Sequence, residues 1–338
     1  MSWDVAGLGN ALMDALVVVD NDRLLDELGL TRGTMHPVDH SQWQSVYERV
    51  KHLDVVFDSG GSCANTIATV GRLGGKAVYC GHVGDDQMGH MYASHITEAC
   101  GQHRLAFSAE QHTGKCLSII SKVDAERTML TDLGAAIAMP SLGEFSQDIL
   151  KARVAHFTGY TLLPGPMQEV ALTAIRTASE AGVQVSLDAA DPFVVAAVRD
   201  LLWSVLTEHT DIVFLNADEA RQLTEMEPEV AASHIGERAQ VGTVVVKLGA
   251  RGSIVWHNGT LHEVGIRKVR ALDTTGAGDA YAGGFLFAHS HGWSPERCAA
   301  LGSHVAGLTV AQVGAVVKDR TALSDAIALV GSAPQAQA

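Results

Sequence analysis

Two glycines and an aspartate near the C-terminus have the types and spacing of a phosphoryl-transfer site. The segment Asp273-Thr274-Thr275-Gly276-Ala277-Gly278-Asp279 precedes a predicted helix over 280–289. Glycine at Gly276 and Gly278 lets the backbone turn sharply, so that free N–H groups and the positive end of the helix converge on one anion. Asp279 could accept a proton from a hydroxyl that attacks a phosphoryl group, or it could only cap the helix.

A second group of candidate residues lies near the N-terminus. Asp14 is an isolated carboxylate among apolar residues after the predicted first strand, and it either caps a turn or accepts two adjacent hydroxyls of a ligand. Gly60 and Gly61 open a helix that is predicted to end at Leu73. Asn65 falls in the first turn of this helix and would face whatever approaches the two glycines.

The elements that must position these residues alternate short β-branched runs with longer amphipathic stretches. The predicted strands are 183–187, 211–215, 243–248 and, before Asp273, 264–272; the predicted helices include 166–181, 193–207 and 229–240. The first three runs are apolar on both faces, which is typical of a parallel sheet covered by helices on both sides. The sequence therefore predicts a doubly wound α/β fold with a mostly parallel sheet.

Two segments, 15–39 and 115–133, break this alternation with strand-like pieces that lack crossover helices. We predict that they form a small antiparallel sheet beside the main one, a lid; the alternative is a set of extra edge strands. Residues 1–331 are predicted to be a single domain and 332–338 a disordered tail. Because the lid strand 15–19 is apolar on both faces, a homodimer through the lid is also predicted.

Composition excludes several classes of function. The 338 residues carry 24 Lys+Arg against 38 Asp+Glu, a net charge of −14, which argues against nucleic acid or an anionic membrane as the main partner. The five cysteines form no close pair, and the sixteen histidines are scattered, with His289 and His291 closest, so no transition-metal site is predicted. Without a leader or a long apolar stretch, the chain is expected to be cytoplasmic.

Two glycine motifs in this order resemble those of the ribokinase-like (PfkB) carbohydrate kinases: Gly60-Gly61 through Gly74, and 273–279. The resemblance runs from about residue 5 to about residue 315. Segments 9–14, 113–116 and 133–136 are similar to the adenosine kinase branch of that family.

The resemblance implies a ribokinase-like fold and an ATP-dependent kinase that phosphorylates the 5′-hydroxyl of a ribonucleoside, with Mg²⁺ as cofactor. The residues that it assigns to catalysis are the base Asp279 and the backbone of Gly276, Ala277 and Gly278. Those assigned to the acceptor are Asp14, Gly60, Gly61 and Asn65. Those assigned to ATP are Asn216, Lys247, Gly249, Gly252 and Thr274, with Glu219 on Mg²⁺ through water. Asp273 and the loop near Gly314 resemble a monovalent-cation site of some members.

One departure from the family pattern leaves the acceptor open. In adenosine kinases an aromatic side chain stacks on the purine, and Thr161 stands at the matching position. A sugar kinase of the ribokinase or fructokinase type is therefore an alternative, as is a non-catalytic nucleoside- or sugar-binding relative. A third alternative is a dinucleotide-binding oxidoreductase, suggested by Gly7-x-Gly9, although Leu12 replaces the third glycine of that fingerprint.

Overall fold

The computed structural model describes residues 2–21, 23–123 and 126–332, and the predicted apolar runs are strands of one large sheet. In spatial order its nine strands are β14 (Thr260–Val264), β13 (Ser253–His257), β12 (Thr243–Lys247), β11 (Ile212–Asn216), β10 (Gln184–Asp188), β9 (Ala152–Thr158), β1 (Trp3–Leu8), β5 (Ala77–Gly84) and β6 (His103–Ser108). All pairings from β12 to β6 are parallel, whereas β12, β13 and β14 pair antiparallel. The doubly wound, mostly parallel sheet is confirmed.

Helices cover both faces of this sheet because its strands are apolar on both sides. One face packs against α5 (Phe145–Ile149), α6 (Pro166–Glu180), α7 (Pro192–Ala197), α8 (Arg199–His209), α9 (Ala217–Thr224) and α10 (Pro228–Ala239). The other packs against α3 (Ser62–Arg72), α4 (Gln87–Cys100), α11 (Ala277–Ser290), α12 (Pro295–Val310) and α13 (Arg320–Ser332). In β12, Val244 and Val246 belong to the first core and Val245 to the second.

A second, smaller sheet is separate from the large one, as predicted. Its five strands are, in order, β3 (Met35–Pro37), β8 (Arg127–Asp132), β7 (Gly114–Ser121), β2 (Leu12–Val19) and β4 (Val56–Gly60). The β2–β4 and β7–β8 pairings are antiparallel, but β2–β7 and β3–β8 are parallel, so the sheet is mixed. Strand β4 was not predicted, because its glycine and polar residues lack the usual alternation.

One face of the small sheet, which we call its outer face, is covered from within the chain. Helices α1 (Arg23–Leu28) and α2 (His40–Val50) supply the cover, and Trp43 of α2 packs with Ala15 and Val17 of β2. A second subunit is not needed to bury this face. The apolar strand that prompted the dimer prediction therefore no longer supports it, and the dimer stays a prediction.

Two sequence-based boundaries are wrong. Residues beyond Val264 do not continue the predicted strand 264–272, because Val264 pairs with Ser253, the first residue of β13, and no strand among the described residues pairs further along. The predicted helix 193–207 is split at Val198, whose backbone is not helical (φ −126°, ψ 28°).

The ends of other predicted segments lie outside the described residues. The predicted tail begins at Ser332, which ends α13, and residues 333–338 are not described. Two turn residues of the predicted 115–133 hairpin, 124 and 125, are also not described. Within the described part of the chain, no helix has the length and apolarity needed to cross a membrane.

Candidate active site

Two helices with glycine caps begin at the same place in the molecule. Gly61 precedes α3 with φ +93°, and Gly276 precedes α11 with φ +68°, conformations that favour glycine. A Cβ at Gly61 would lie 2.2 Å from the carbonyl oxygen of Asn10, and one at Gly276 would lie 2.4 Å from Cβ of Ala315. Helix α11 starts at Ala277, three residues before the predicted start at 280, so Asp279 lies inside its first turn.

The carboxylate of Asp279 is held by two side chains of α3. Ser62 Oγ donates to Oδ1 over 2.7 Å, and Asn65 Nδ2 donates to Oδ2 over 2.9 Å. Burial raises the pKa of Asp279 above its ordinary value, and these two hydrogen bonds oppose burial only in part. The result is a fixed, buried carboxylate at the positive end of a helix, which is the arrangement expected of a general base.

Lys247 brings a positive charge to the start of α11. Its Nζ lies 2.6 Å from Oδ2 of Asp188, and a Cβ built on Gly278 would be 3.2 Å from that Nζ. Burial alone would lower the pKa of Lys247, but the carboxylates of Asp188 and Glu219 raise it above its ordinary value. The ammonium thus lies beside the first N–H groups of α11, with its charge paired by Asp188.

Asp188 is not among the residues predicted from the sequence, although its position at the end of a strand could have indicated it. It is the last residue of β10, at the carboxyl end of a parallel strand where open α/β sheets place their ligands. Only 3% of its surface is exposed.

Asn216 and Glu219 form a capping box at the start of α9. The Asn216 side chain accepts from the N–H groups of Asp218 and Glu219, while its own backbone N–H and Nδ2 donate to the two carboxylate oxygens of Glu219. Burial raises the pKa of Glu219 to about 7, with Lys247 acting in the opposite direction. Both oxygens of Glu219 are already engaged, so the side chain is rigid.

Asp14 is not at the end of the first strand but inside β2, in the small sheet. A Cβ on Gly60 of the paired strand would lie 2.2 Å from Oδ2 of Asp14, so a glycine leaves the room that this carboxylate occupies. Burial raises the pKa of Asp14 to about 7, whereas Arg127 lowers it and Asp58 and Asp279 raise it further. Asp14 therefore lies against Gly60, two residues before Ser62, whose hydroxyl holds Asp279.

Arg127 links the small sheet to the loop before α11. Its Nε lies 3.9 Å from Oδ1 of Asp273, which is almost fully buried and also accepts from the backbone N–H groups of Thr275 and Gly314. The sequence pattern did not identify Arg127, because it is an ordinary residue of a hairpin strand until the two sheets are placed together.

Three remaining candidates have local roles. Gly249 (φ +58°) and Gly252 (φ +95°) shape the short 3-10 turn between β12 and β13, and a Cβ on Gly252 would lie 2.1 Å from the carbonyl oxygen of Val264. The carbonyl of Thr274 accepts from Ala277 N over 3.3 Å. These contacts explain the backbone shape, and the assignment of the three residues to ATP stays a prediction.

The chain matches the model of a known family over most of its length. The model for pfkB family carbohydrate kinases matches residues 36–322. The chain belongs to this family. It is therefore a phosphotransferase that acts on a hydroxyl group of a sugar or nucleoside, and kinases of this family use ATP, generally with Mg²⁺.

Similar proteins include both nucleoside and sugar kinases. The structure of adenosine kinase from Sinorhizobium meliloti is 31% identical, with a TM-score of 0.86 over 97% of this chain and 100% of that one. A probable sugar kinase from Rhizobium etli CFN 42 is 30% identical, with a TM-score of 0.88 over 98% of this chain and 99% of that one. Fructokinase from Solanum tuberosum is 28% identical over 82% of each chain. These relatives support the ribokinase-like fold and the adenosine kinase-like branch but do not decide the acceptor.

Proposed function

We propose that this kinase transfers the γ-phosphoryl group of ATP to the 5′-hydroxyl of a ribonucleoside. The observation that carries the proposal is the approach of two carboxylates to the start of α3: Asp14 of the small sheet lies against Gly60, and Asp279 of α11 is held by Ser62. Asp14 accepts hydrogen bonds from the two adjacent ribose hydroxyls, and Asp279 contacts the hydroxyl that reacts. The apolar surface next to Asp14 then contacts the base.

Asp279 acts as the general base. It takes the proton of the acceptor hydroxyl as that oxygen attacks the γ-phosphorus, and the bond from the phosphorus to the leaving ADP oxygen breaks. Backbone N–H groups at Gly276, Ala277 and Gly278, with the Lys247 ammonium, stabilise negative charge on the phosphoryl group. Asn65 and Ser62 hold the carboxylate in position.

The residues around Glu219 fit a magnesium ion held through water. Both oxygens of Glu219 already accept hydrogen bonds from Asn216, so the carboxylate is better suited to hold hydrated Mg²⁺ than to bind it directly. The ion neutralises phosphate charge when ATP is bound. Asp188, paired with Lys247, adds a second carboxylate at the same strand ends. A monovalent cation at Asp273 stays a further prediction.

The inner face of the small sheet, opposite α2, supplies the acceptor surface and acts as a lid. Side chains alternate along a strand, so Leu16 shares the face of Asp14 on β2. The register places Ser118 beside Leu16 and Met129 beside Ser118. This face continues from a carboxylate to largely apolar side chains, which suits a sugar that carries a base. Closure of the lid excludes water that would compete for the phosphoryl group.

The 3-10 turn after β9, Gly159–Leu162, favours a second candidate, a sugar kinase. Thr161 is fully buried and its hydroxyl donates to the carbonyl of Thr158 over 2.8 Å, so it presents no ring to a base. Burial, with the carboxylates of Asp191 and Asp279 nearby, raises the pKa of Tyr160 above its ordinary value. A free sugar would need no stacking partner.

A coupled ADP-release assay over ribonucleosides, ribose and fructose separates the two candidates. We expect kcat/KM for one ribonucleoside to exceed that for either sugar by about 100-fold, since a lost apolar contact surface costs about 1–3 kcal/mol per contact. In the Met129→Ser variant, kcat/KM for the ribonucleoside is expected to fall about 10-fold, whereas kcat/KM for ribose is expected to stay unchanged. Val230→Ser, at an exposed position on α10, is the control. A higher value for fructose than for every ribonucleoside would contradict the proposal.

A further inference from the structure

Four polar side chains meet on the outer face of the small sheet. Lys115 of β7 and Asp132 of β8 are cross-strand neighbours, and only 3% and 5% of their surfaces are exposed. Nζ of Lys115 lies 2.8 Å from Oδ2 of Asp132. Two imidazoles flank this pair, from His40 at the start of α2 and from His112, two residues before β7.

The two imidazoles approach the same carboxylate oxygen. Nε2 of His112 lies 2.7 Å and Nδ1 of His40 lies 3.5 Å from Oδ2 of Asp132, and the ring centroids are 4.2 Å apart. The three possible ligand atoms lie within 4.8 Å of one another. Ligand atoms of a tetrahedral zinc ion, at about 2.0–2.2 Å from the metal, are about 3.3 Å apart. The 3.5 Å between His40 and Asp132 is close to this spacing, whereas the 2.7 Å between His112 and Asp132 is a hydrogen-bond length that must widen on metal binding.

We propose that His40, His112 and Asp132 bind a zinc ion, with the Lys115 ammonium as the competing cation. Two imidazole nitrogens and one carboxylate oxygen are a ligand set that zinc uses with water in the fourth position. Nζ of Lys115 lies 2.9 Å from Nδ1 of His40 and 2.8 Å from Oδ2 of Asp132, so the ammonium stands between two of the three proposed ligands. Zinc binding therefore requires the Lys115 side chain to move out of the site. The charge of the metal then replaces that of the ammonium beside the buried Asp132 carboxylate.

The site is separate from the catalytic cleft. Lys115 and Asp132 alternate with Cys116 and Thr131, whose side chains share the inner face with Asp14, so the cluster points the opposite way. The side chains of His40 and His112 are 48% and 35% exposed, which leaves a path for a metal ion from solvent. The ligands come from α2, β8 and the segment before β7, so a bound ion ties these three elements together at one end of the small sheet.

Zinc titration of the chelator-treated full-length protein, in competition with a chromogenic chelator, tests the proposal. We expect one saturable equivalent of Zn²⁺, with affinity at least about 10-fold weaker in His40→Ala and in His112→Ala. Both histidines are partly exposed, so these variants are expected to fold, and their melting temperatures without zinc check this. Lys115→Met removes the competitor and is expected to strengthen binding about 10-fold.

A second histidine–carboxylate pair provides the control. Nε2 of His90 lies 3.0 Å from Oδ1 of Asp85 on an exposed surface, so His90→Ala should leave the zinc affinity unchanged. An anomalous-scattering peak between His40 and His112 would support the assignment directly. The proposal is overturned if the wild-type protein shows no saturable equivalent, or if the His40→Ala/His112→Ala double variant binds zinc as the wild type does.

Discussion

The Asn65 amide donates a 2.9 Å hydrogen bond to Oδ2 of Asp279 and thereby joins the first turns of α3 and α11. The two residues are 214 positions apart in the chain. The bond favours the ionised form of a carboxylate that burial would otherwise keep protonated. Both the orientation and the acidity of the proposed base therefore depend on the helix that begins at the Gly60-Gly61 motif.

Asp279→Asn is expected to lower kcat by about 100- to 10,000-fold, because a positioned base contributes that much to proton transfer. Asparagine keeps the shape of the side chain, and ATP affinity should stay within about threefold of the wild type. Steady-state kinetics and nucleotide titration measure the two effects. A kcat near that of the wild type would remove Asp279 from the role of base.

Asn65→Ala should move the acid limb of the pH profile of kcat/KM upward by about one unit. The hydrogen bond from Asn65 lowers the pKa of Asp279, so its loss leaves burial less opposed. Ser62→Ala removes the other side-chain donor and should act in the same direction. Thr66→Val is the matched control on α3, since its hydroxyl donates to backbone carbonyls and not to the carboxylate. Equal shifts in all three variants would contradict this account.

Asp14→Asn is expected to raise the KM for the acceptor at least 10-fold. The same variant is expected to be more stable than the wild type at pH 8. The folded pKa of Asp14, about 7, lies above its ordinary value of 3.8, so the folded state holds a proton that the unfolded state releases. Stability from this group is complete below about pH 4 and is lost as the pH rises through 7. Removing the ionisable carboxyl should raise unfolding free energy at pH 8 by on the order of 2 kcal/mol.

Denaturant unfolding at pH 5 and pH 8 measures that difference, and the variant should gain more at pH 8. Asp54→Asn, on the exposed surface, is the control and should leave the pH dependence of stability unchanged. If Asp14→Asn gains no stability at pH 8 relative to pH 5, the carboxyl is not kept protonated by the fold.

Gly60→Ala should raise the acceptor KM with less effect on the KM for ATP. The added methyl carbon would lie 2.2 Å from Oδ2 of Asp14, so the carboxylate must move away from the position where it contacts the acceptor. Gly242→Ala is the control, because its nearest neighbour would be 3.6 Å away, an ordinary contact. Parallel increases in both KM values would indicate general misfolding of the site and not a displaced Asp14.

The large sheet and the glycine segment 273–279 are predictable from the sequence because local patterns determine them. The apolar run predicted as a strand at 243–248 is β12, whose valines 244–246 are buried, and Gly276 precedes a helix as expected, although that helix begins at Ala277 and includes Gly278. The prediction of a strand at 264–272 is wrong because a strand needs a partner, and β13 begins at Ser253, which already pairs with Val264. Strand length thus depends on a neighbour that sequence periodicity does not show.

The residues that sequence reasoning missed depend on tertiary placement. Arg127 becomes a site residue only when the small sheet brings it to Asp273, and Asp188 only when it pairs with Lys247. The same reason explains why scattered histidines gave no metal prediction. His40 and His112 are 72 positions apart, yet their rings are in contact.

The division of the site between two sheets bears on how such kinases diversify. The groups proposed to handle the phosphoryl transfer, Asp279 and Lys247, lie on the large sheet and its helices, whereas Asp14 and Met129 lie on the small one. Under the proposed function, a substitution on the inner face of β2 or β7 would alter which acceptor is held and leave the proposed base, Asp279 of α11, in place. Acceptor choice would then change in evolution while the chemistry is inherited, which agrees with the similarity of this chain to both nucleoside and sugar kinases.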